Sequence, residues 1–351
     1  MTDTMQRVVL AARPQGEPKP TDFKLESCPI PTPGEGQMLD KTIWLSLDPY
    51  MRGRMDDSKS YADPVQIGER MEGGAVGEVI ASNLAAFSPG DYVTGPLGWQ
   101  SHAISDGVMV QKLNPKAAPL STALGVLGMP GITAYVGLND FGRPKAGETL
   151  VVAAATGAVG SLVGQLGKAY GLRVVGIAGG PEKCKYAIDE LGFDACIDHR
   201  AAADASTLRK QIANTCPKGI DIYFENVGGK IMEAVMPLMN VHGRIPICGM
   251  IAWYNGGGLG EGENSGPNML PKVWRTILVN RLSLRGFIIF DHFDRYPEFI
   301  KEVAGHIASG KVKYKETIAE GLESAPQAFI EMLKGGNFGK QLVAVSPDPT
   351  R

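Results

Sequence analysis

The chain carries no long run of like charge, no apolar stretch beyond strand length and no closely spaced cysteines, and each absence removes a class of protein. With a formal net charge of −2 and no basic stripe, it lacks the electrostatic footprint of a nucleic-acid or membrane-surface binder, which leaves a small molecule as the expected partner. A membrane-spanning helix needs about 20 apolar residues in succession, and none is present. The first thirty residues also lack the charged, apolar and small-residue order of a secretory signal, so a cytoplasmic location is expected. Cys28, Cys184, Cys196, Cys216 and Cys248 are odd in number and scattered, as reduced thiols are and a disulfide framework is not. No two form a CxxC pair and no His/Cys cluster repeats a structural zinc pattern, so no metal is expected.

What is present is enough for two cores. A chain of 351 residues exceeds the size at which one hydrophobic core stops growing, and its 44% apolar and 21% charged residues are ordinary for a globular protein. Up to about residue 125, short apolar stretches at 7–11, 37–45, 74–80, 92–95, 101–104 and 108–113 stand between Gly and Pro, which predicts a compact β module. From Thr149 onward the rhythm is strand then helix, with strands TLVVAAA, RVVGIA, ACID, IDIYFEN, GRIPICG and LSLRGFII. That alternation predicts an α/β fold, a doubly wound parallel sheet with helices on both faces. Pro246 cannot donate to a ladder, so it is expected at a strand edge or end. Beyond Thr317 a strand, a helix near 325–334 and a last strand at 341–345 are expected. Residues 253–271 are rich in glycine and too long for an ordinary connection, which suggests a mobile loop or lid.

The segment from Thr149 to Gly180 is the most informative. An apolar strand runs into Thr156-Gly157-Ala158-Val159-Gly160, then a helix with Leu162, Val163 and Leu166 inward, then a second strand. Such a turn sets backbone N–H groups and the positive end of a helix against a pyrophosphate. Ala154 takes the first glycine position of the usual fingerprint, so the motif is a variant and its weight comes from the flanking strand and helix. The second strand ends in Ala178-Gly179-Gly180, where NAD enzymes place a carboxylate for the ribose. Its absence, with Lys183 close behind, favours NADPH.

Five ordered motifs carry a family resemblance: Asp48-Pro49-Tyr50-Met51-Arg52, Gly128-Met129-Pro130-Gly131-Ile132-Thr133-Ala134-Tyr135, the turn 154–160, Phe224-Glu225-Asn226-Val227-Gly228-Gly229 and Gly335-Gly336-Asn337-Phe338-Gly339-Lys340. Across nearly its whole length the chain resembles the medium-chain dehydrogenase/reductase superfamily, and within it the zinc-free leukotriene hydroxydehydrogenase, prostaglandin reductase and curcumin reductase group. The resemblance implies a GroES-like β module of residues 1–127 and 318–351 around a Rossmann domain of residues 128–317, and a homodimer. Met71 stands where zinc alcohol dehydrogenases carry a ligand His, so direct alcohol–carbonyl interconversion would lose its Lewis acid. Cofactor contacts carried over by resemblance are Gly157, Ala158, Val159, Gly160, Lys183, His199, Asn226, Cys248, Gly249, Met250, Ile251, Ala252, Trp253, Tyr254, Phe287, Ile288, Ile289 and Asn337. His199 is a departure, since mammalian relatives have Tyr there.

The activity so implied is reduction of the carbon–carbon double bond of an α,β-unsaturated aldehyde or ketone. Such chemistry asks the protein to orient two planes and offer one hydrogen bond to the enolate oxygen. Tyr254 is the expected donor and Tyr50 a catalytic candidate better suited to a wall of the pocket. Trp253, Met129, Met51 and Phe87 are candidates to line an apolar cavity. Quinone reduction by NADPH, and NADPH binding without turnover, remain open as alternatives.

Overall fold

The computed structural model describes residues 4–256 and 270–350. The chain divides into two compact units, one of Met1–Gly125 with Glu316–Arg351 and one of Val126–Lys315. In the first, β1 (Thr4–Leu10) pairs antiparallel with β2 (Phe23–Pro29). Then β3 (Met38–Ser46), helix α1 (Met51–Arg54), β4 (Ala75–Ser82), β5 (Tyr92–Gly95), β6 (His102–Ser105) and β7 (Gln111–Leu113) follow. Strand β2 was not among the expected elements, because its alternation is weak: Leu25, on one of its faces, is exposed. Trp99 is wholly buried, stacked on Phe23 at 5.7 Å and edge-on to Phe329 at 5.7 Å.

The second unit opens with helix α2 (Met129–Val136) and then alternates β8 (Thr149–Ala153), α3 (Gly160–Ala169), β9 (Arg173–Ala178), α4 (Pro181–Asp189), β10 (Ala195–Asp198), α5 (Ala205–Thr215), β11 (Ile220–Phe224), α6 (Gly229–Val235), β12 (Met239–Ile247), α7 (Leu270–Asn280), β13 (Ser283–Gly286) and α8 (Tyr296–Ala308). The six strands lie in the order β10-β9-β8-β11-β12-β13, all neighbours parallel. Alternate residues of β8 serve opposite faces. Leu150 and Val152 join Leu162, Val163 and Leu166 of α3, while Val151 and Ala153 join Leu208, Ile212 and Ile231 of α5 and α6. A strand covered on both sides must be apolar throughout, which is why TLVVA shows no polar alternation.

Pro246 sits one residue from the end of β12, opposite Arg285 of β13. The strand is interior rather than an edge. The missing N–H is tolerated near the strand's end, where the Pro246 carbonyl still accepts from the Glu225 N–H at 3.0 Å. The chain then re-enters the first unit as β14 (Glu316–Glu320), α9 (Ala325–Leu333) and β15 (Lys340–Ala344), and β15 pairs antiparallel with β3. The resulting seven-stranded sheet runs β14-β15-β3-β4-β5-β7, with β6 also on β3. The fold is thus α/β: an antiparallel-rich β module and a doubly wound parallel sheet.

Candidate active site

Strand order in the parallel sheet reverses between β8 and β11, and the loops at the carboxyl ends of these two strands flank the crevice where such sheets bind ligands. After β8, Ala154 adopts a left-handed φ of 51°. An alanine bears this at a cost of about 1–2 kcal/mol, which is how the turn forms without its first glycine. The Gly157 N–H closes the turn on the Ala154 carbonyl at 2.9 Å, and α3 starts at Gly160. A Cβ on Gly160 would lie 2.3 Å from the Ala154 carbonyl oxygen. Only glycine lets the helix start this close to the strand, and that closeness aims the amides of Ala158, Val159 and Gly160 outward from the helix's first turn.

Across the switch point, the Asn226 amide donates to the Ala153 carbonyl at 2.8 Å and ties the two loops together. Glu225 is buried, and its Oε1 accepts from the N–H groups of Val227 at 2.6 Å and Gly228 at 2.9 Å, while the Tyr223 hydroxyl donates to Oε2 at 2.8 Å. The loop after β12 is stitched onto this one: Cys248 and Gly249 donate to the Glu225 carbonyl, Ile251 to that of Asn226 and Ala252 to that of Val227. Burial, with Glu225 nearby, pushes the Cys248 thiol up to about 12, so it remains a neutral thiol. The Trp253 ring lies on Gly228, whose absent Cβ would be 2.5 Å from it. The Tyr254 hydroxyl faces the Gly249–Met250 backbone, with the Met250 N–H at 3.5 Å. Phe287 packs on Phe141 with ring centroids 5.0 Å apart, and the Ile289 side chain is core, so only its backbone is available to a ligand. The expected lid falls at its centre on residues 257–269, outside the described residues.

At the end of β9 the sequence-selected residues Lys183 and His199 come together. Lys183 lies in the first turn of α4, and burial followed by the Arg200 charge lowers its proton affinity. His199 is likewise pushed below its ordinary 6.5 by burial, then by Lys230, Arg200 and Lys183, with Asp198 acting in the opposite sense. The imidazole is therefore uncharged at neutral pH.

In the β unit, Tyr50 is partly buried, with the Arg54 guanidinium 5.7 Å from its ring centre. Burial, then the charges of Asp48 and Glu72, push its phenol well above the ordinary value, so it stays protonated. Its turn is anchored by Lys340, whose Nζ donates to the Leu47 carbonyl at 2.7 Å and to Asp48 Oδ1 at 2.8 Å. Asn337 caps the approach to β15 by donating to the Gly339 carbonyl at 2.8 Å. One of the proposed lining residues is corrected: Met51 is wholly buried in the core around Trp99 and answers to that core's demand for volume. Phe87 is half-buried against the cluster of Met38, Val79 and Val93. Met129 packs at the margin of the core under α3, and Trp253 alone of the four is exposed.

Residues 6–113 match the family described as the N-terminal domain of oxidoreductase, and residues 158–305 that described as zinc-binding dehydrogenase. The NADPH-dependent curcumin reductase of Escherichia coli (strain K12) is 52% identical over 98% of this chain and 97% of its own length. The 2-alkenal reductase (NADP(+)-dependent) of Nicotiana tabacum is 39% identical over 97% of each. The crystal structure of CurA in complex with NADPH from Vibrio vulnificus superposes with a TM-score of 0.92 at 53% identity, covering 98% of this chain and 100% of that one. The chain belongs to the medium-chain dehydrogenase/reductase superfamily. Within that superfamily it falls in the zinc-free group of curcumin, alkenal and prostaglandin reductases. The zinc of the family description does not carry over, since Met71, at the ligand His position of the zinc branch, is wholly buried among Leu45, Met51 and Trp99.

Several residues of this medium-chain reductase escaped the sequence reading. Asp198, at the end of β10, accepts on Oδ1 from the N–H groups of Gly180 at 2.8 Å and Arg200 at 2.9 Å. Lys230 donates to the carbonyls of His199 at 2.9 Å and Ala202 at 2.8 Å. Glu225 was seen only as part of a motif, without its role as the acceptor that shapes the loop. The signal for Asp198 and Arg200 lay in strand register: β10 beside β9 puts Asp198 opposite Ala178, and so brings the next residues to Gly179 and Gly180.

Proposed function

We propose that this chain is an NADPH-dependent reductase of the carbon–carbon double bond of α,β-unsaturated aldehydes and ketones. The observation that carries the reading is the 52% identity, over almost the entire chain, to a protein named NADPH-dependent curcumin reductase. The site residues fit the cofactor. Gly160 leaves room that a Cβ would fill, the helix start at 158–160 suits a pyrophosphate, and Lys183 stands where a 2′-phosphate needs a cation. Asn226, residues 248–254 and the 287–289 backbone would hold the remainder, and Asn337 of the β unit is a further contact by resemblance alone.

When bound, NADPH would supply a hydride to the β-carbon of the substrate; negative charge would grow on the carbonyl oxygen, and a proton from solvent would then reach the α-carbon. The residues of the chain meet that charge with a neutral donor. Tyr254 serves as donor to the enolate oxygen, since its hydroxyl is already held beside the Gly249–Met250 backbone. Tyr50, a phenol that burial keeps protonated, is a second candidate carried over by resemblance. Trp253 offers an apolar face to a flat enone.

Steady-state assays with 2-nonenal and with a benzoquinone, each with NADPH and NADH, test the reading. NADPH consumption with the enal is expected, and Tyr254→Phe should lower kcat/KM by about tenfold to a hundredfold. Faster turnover of the quinone would replace this reading with quinone reduction, and an unchanged kcat/KM in the variant would remove Tyr254 from the chemistry.

A cytoplasmic homodimer is part of the same proposal. Strand β13 ends the parallel sheet with every residue exposed, and α7 beside it exposes Trp274, Leu278 and Val279. An apolar patch on an open sheet edge is a surface for a second copy. Sedimentation at about twice the 37.4 kDa chain mass is expected; a monomer at micromolar concentration would refute it.

A further inference from the structure

The turn after β9 is glycine, and the space its side chain would take is filled from the neighbouring strand. A Cβ on Gly179 would lie 2.8 Å from Nε of Arg200 and 3.2 Å from Nε2 of His199. Arg200 therefore lies across the end of β9, the point at which the second strand of a dinucleotide-binding sheet meets the adenosine ribose. The placement is held from two sides. Asp198 accepts from the N–H groups of both Gly180 and Arg200, so a single carboxylate sets the distance between the two loops. Lys230 pins the backbone of His199 and Ala202 from α6 and is thereby committed to two carbonyls.

We propose that Arg200 is a specificity-determining residue which, with Lys183, clamps the 2′-phosphate of NADPH. This rests on the NADPH reading above and adds to it a residue that the fingerprint positions do not include. A guanidinium suits the task because its planar fork can offer paired donors to phosphate oxygens and its charge does not change with pH. His199 contributes a neutral imidazole edge, since burial first, and then the charges of Lys230, Arg200 and Lys183 against the opposing Asp198, lower its proton affinity. Asp198 remains a negative charge, which the two backbone amides on its Oδ1 orient without neutralising, and the two cations of Lys183 and Arg200 outweigh it. Discrimination then arises from two fixed or nearly fixed positive charges reached only by the phosphorylated ribose.

The test is calorimetric titration of the intact protein and its variants with NADPH, NADH and adenosine 2′,5′-bisphosphate. Arg200→Ala is expected to weaken NADPH and the bisphosphate by about tenfold to a hundredfold and to leave NADH within about twofold. Arg200→Lys should recover part of the loss. The salt dependence of bisphosphate binding should become shallower in Arg200→Ala as one charged contact disappears. Arg200 is exposed, so its truncation leaves the fold standing; Gly179→Asp gives a second route, placing a carboxylate against the guanidinium and erasing the preference for NADPH. Equal losses for NADPH and NADH, or no loss for NADPH, in a protein that still prefers NADPH would overturn the role of Arg200 alone. An unaltered protein that binds NADPH no better than NADH would overturn the NADPH reading with it.

Discussion

Asp40 in the β unit and Glu225 in the parallel-sheet unit are both buried carboxylates, yet they are treated in opposite ways. Both oxygens of Asp40 lack a hydrogen-bond partner among the described residues, as does the nearby Thr42 hydroxyl on the same strand. Both oxygens of Glu225 accept, from two loop amides and a tyrosine. A third buried carboxylate, Asp48, stands between these cases because Lys340 supplies a countercharge and Ser46 a hydroxyl. The contrast teaches where polar burial does structural service. In the parallel sheet, the acids at the ends of β10 and β11 accept the amides of the very loops that face the candidate cofactor, so the desolvation of each carboxyl is offset by a bonded, rigid loop. Asp40 sits mid-strand in β3 and shapes nothing comparable.

Removing the acceptor on the well-served side should give the larger effect. Glu225→Met leaves the amides of Val227 and Gly228 and the Tyr223 hydroxyl without their acceptor, and each stranded buried donor costs about 1–3 kcal/mol. A loss of roughly 3 kcal/mol or more is expected, read as a fall in the midpoint of chemical or thermal denaturation. Because Asn226, Gly249 and Ile251 hang on the same backbone, NADPH affinity should fall with stability. If the variant melts like the parent and binds NADPH unchanged, the comparison fails, and Glu225 is merely enclosed rather than shaping the loop.

Local chemistry made much of this legible from residues alone. The turn 154–160 could be read because its needs are confined to seven successive positions, and TLVVA because a strand covered on both faces must be apolar. Parallel pairing was legible too, since helices between successive strands dictate it, whereas the switch point between β8 and β11 depends on strand order, which no local pattern encodes. Arg200 could not be read the same way. Its nearness to Gly179 depends on the pairing of β10 with β9, two strands joined through a helix, and on which residue ends each strand. Met51 shows the converse difficulty: an apolar side chain near a motif looks the same whether it lines a cavity or fills a core, and packing alone decides. Pro246 followed the second of its two expected placements, next to the end of a strand, where a missing donor matters least. Asp40 was invisible because it stands in the polar run Asp40-Lys41-Thr42, which reads as a solvated stretch although only Lys41 of the three is exposed.

The smaller effect belongs to Asp40, and its sign is opposite. Burial raises its carboxyl from an ordinary 3.8 to about 7, so the folded chain holds that proton more tightly than the unfolded one. Stability from this group is then fully present below pH 3.8 and is lost as pH rises to about 7, beyond which the cost is constant. Asp40→Asn cannot ionise, so its denaturation midpoint should be nearly independent of pH across that window while the parent's falls. At pH 8 the variant should be the more stable by about 1–3 kcal/mol, the usual cost of a buried polar group left unpaired in its charged form. At pH 4 the two should melt together. A parent whose stability does not decline between pH 4 and 7 relative to the variant would mean that Asp40 has a partner after all, and the contrast with Glu225 would dissolve.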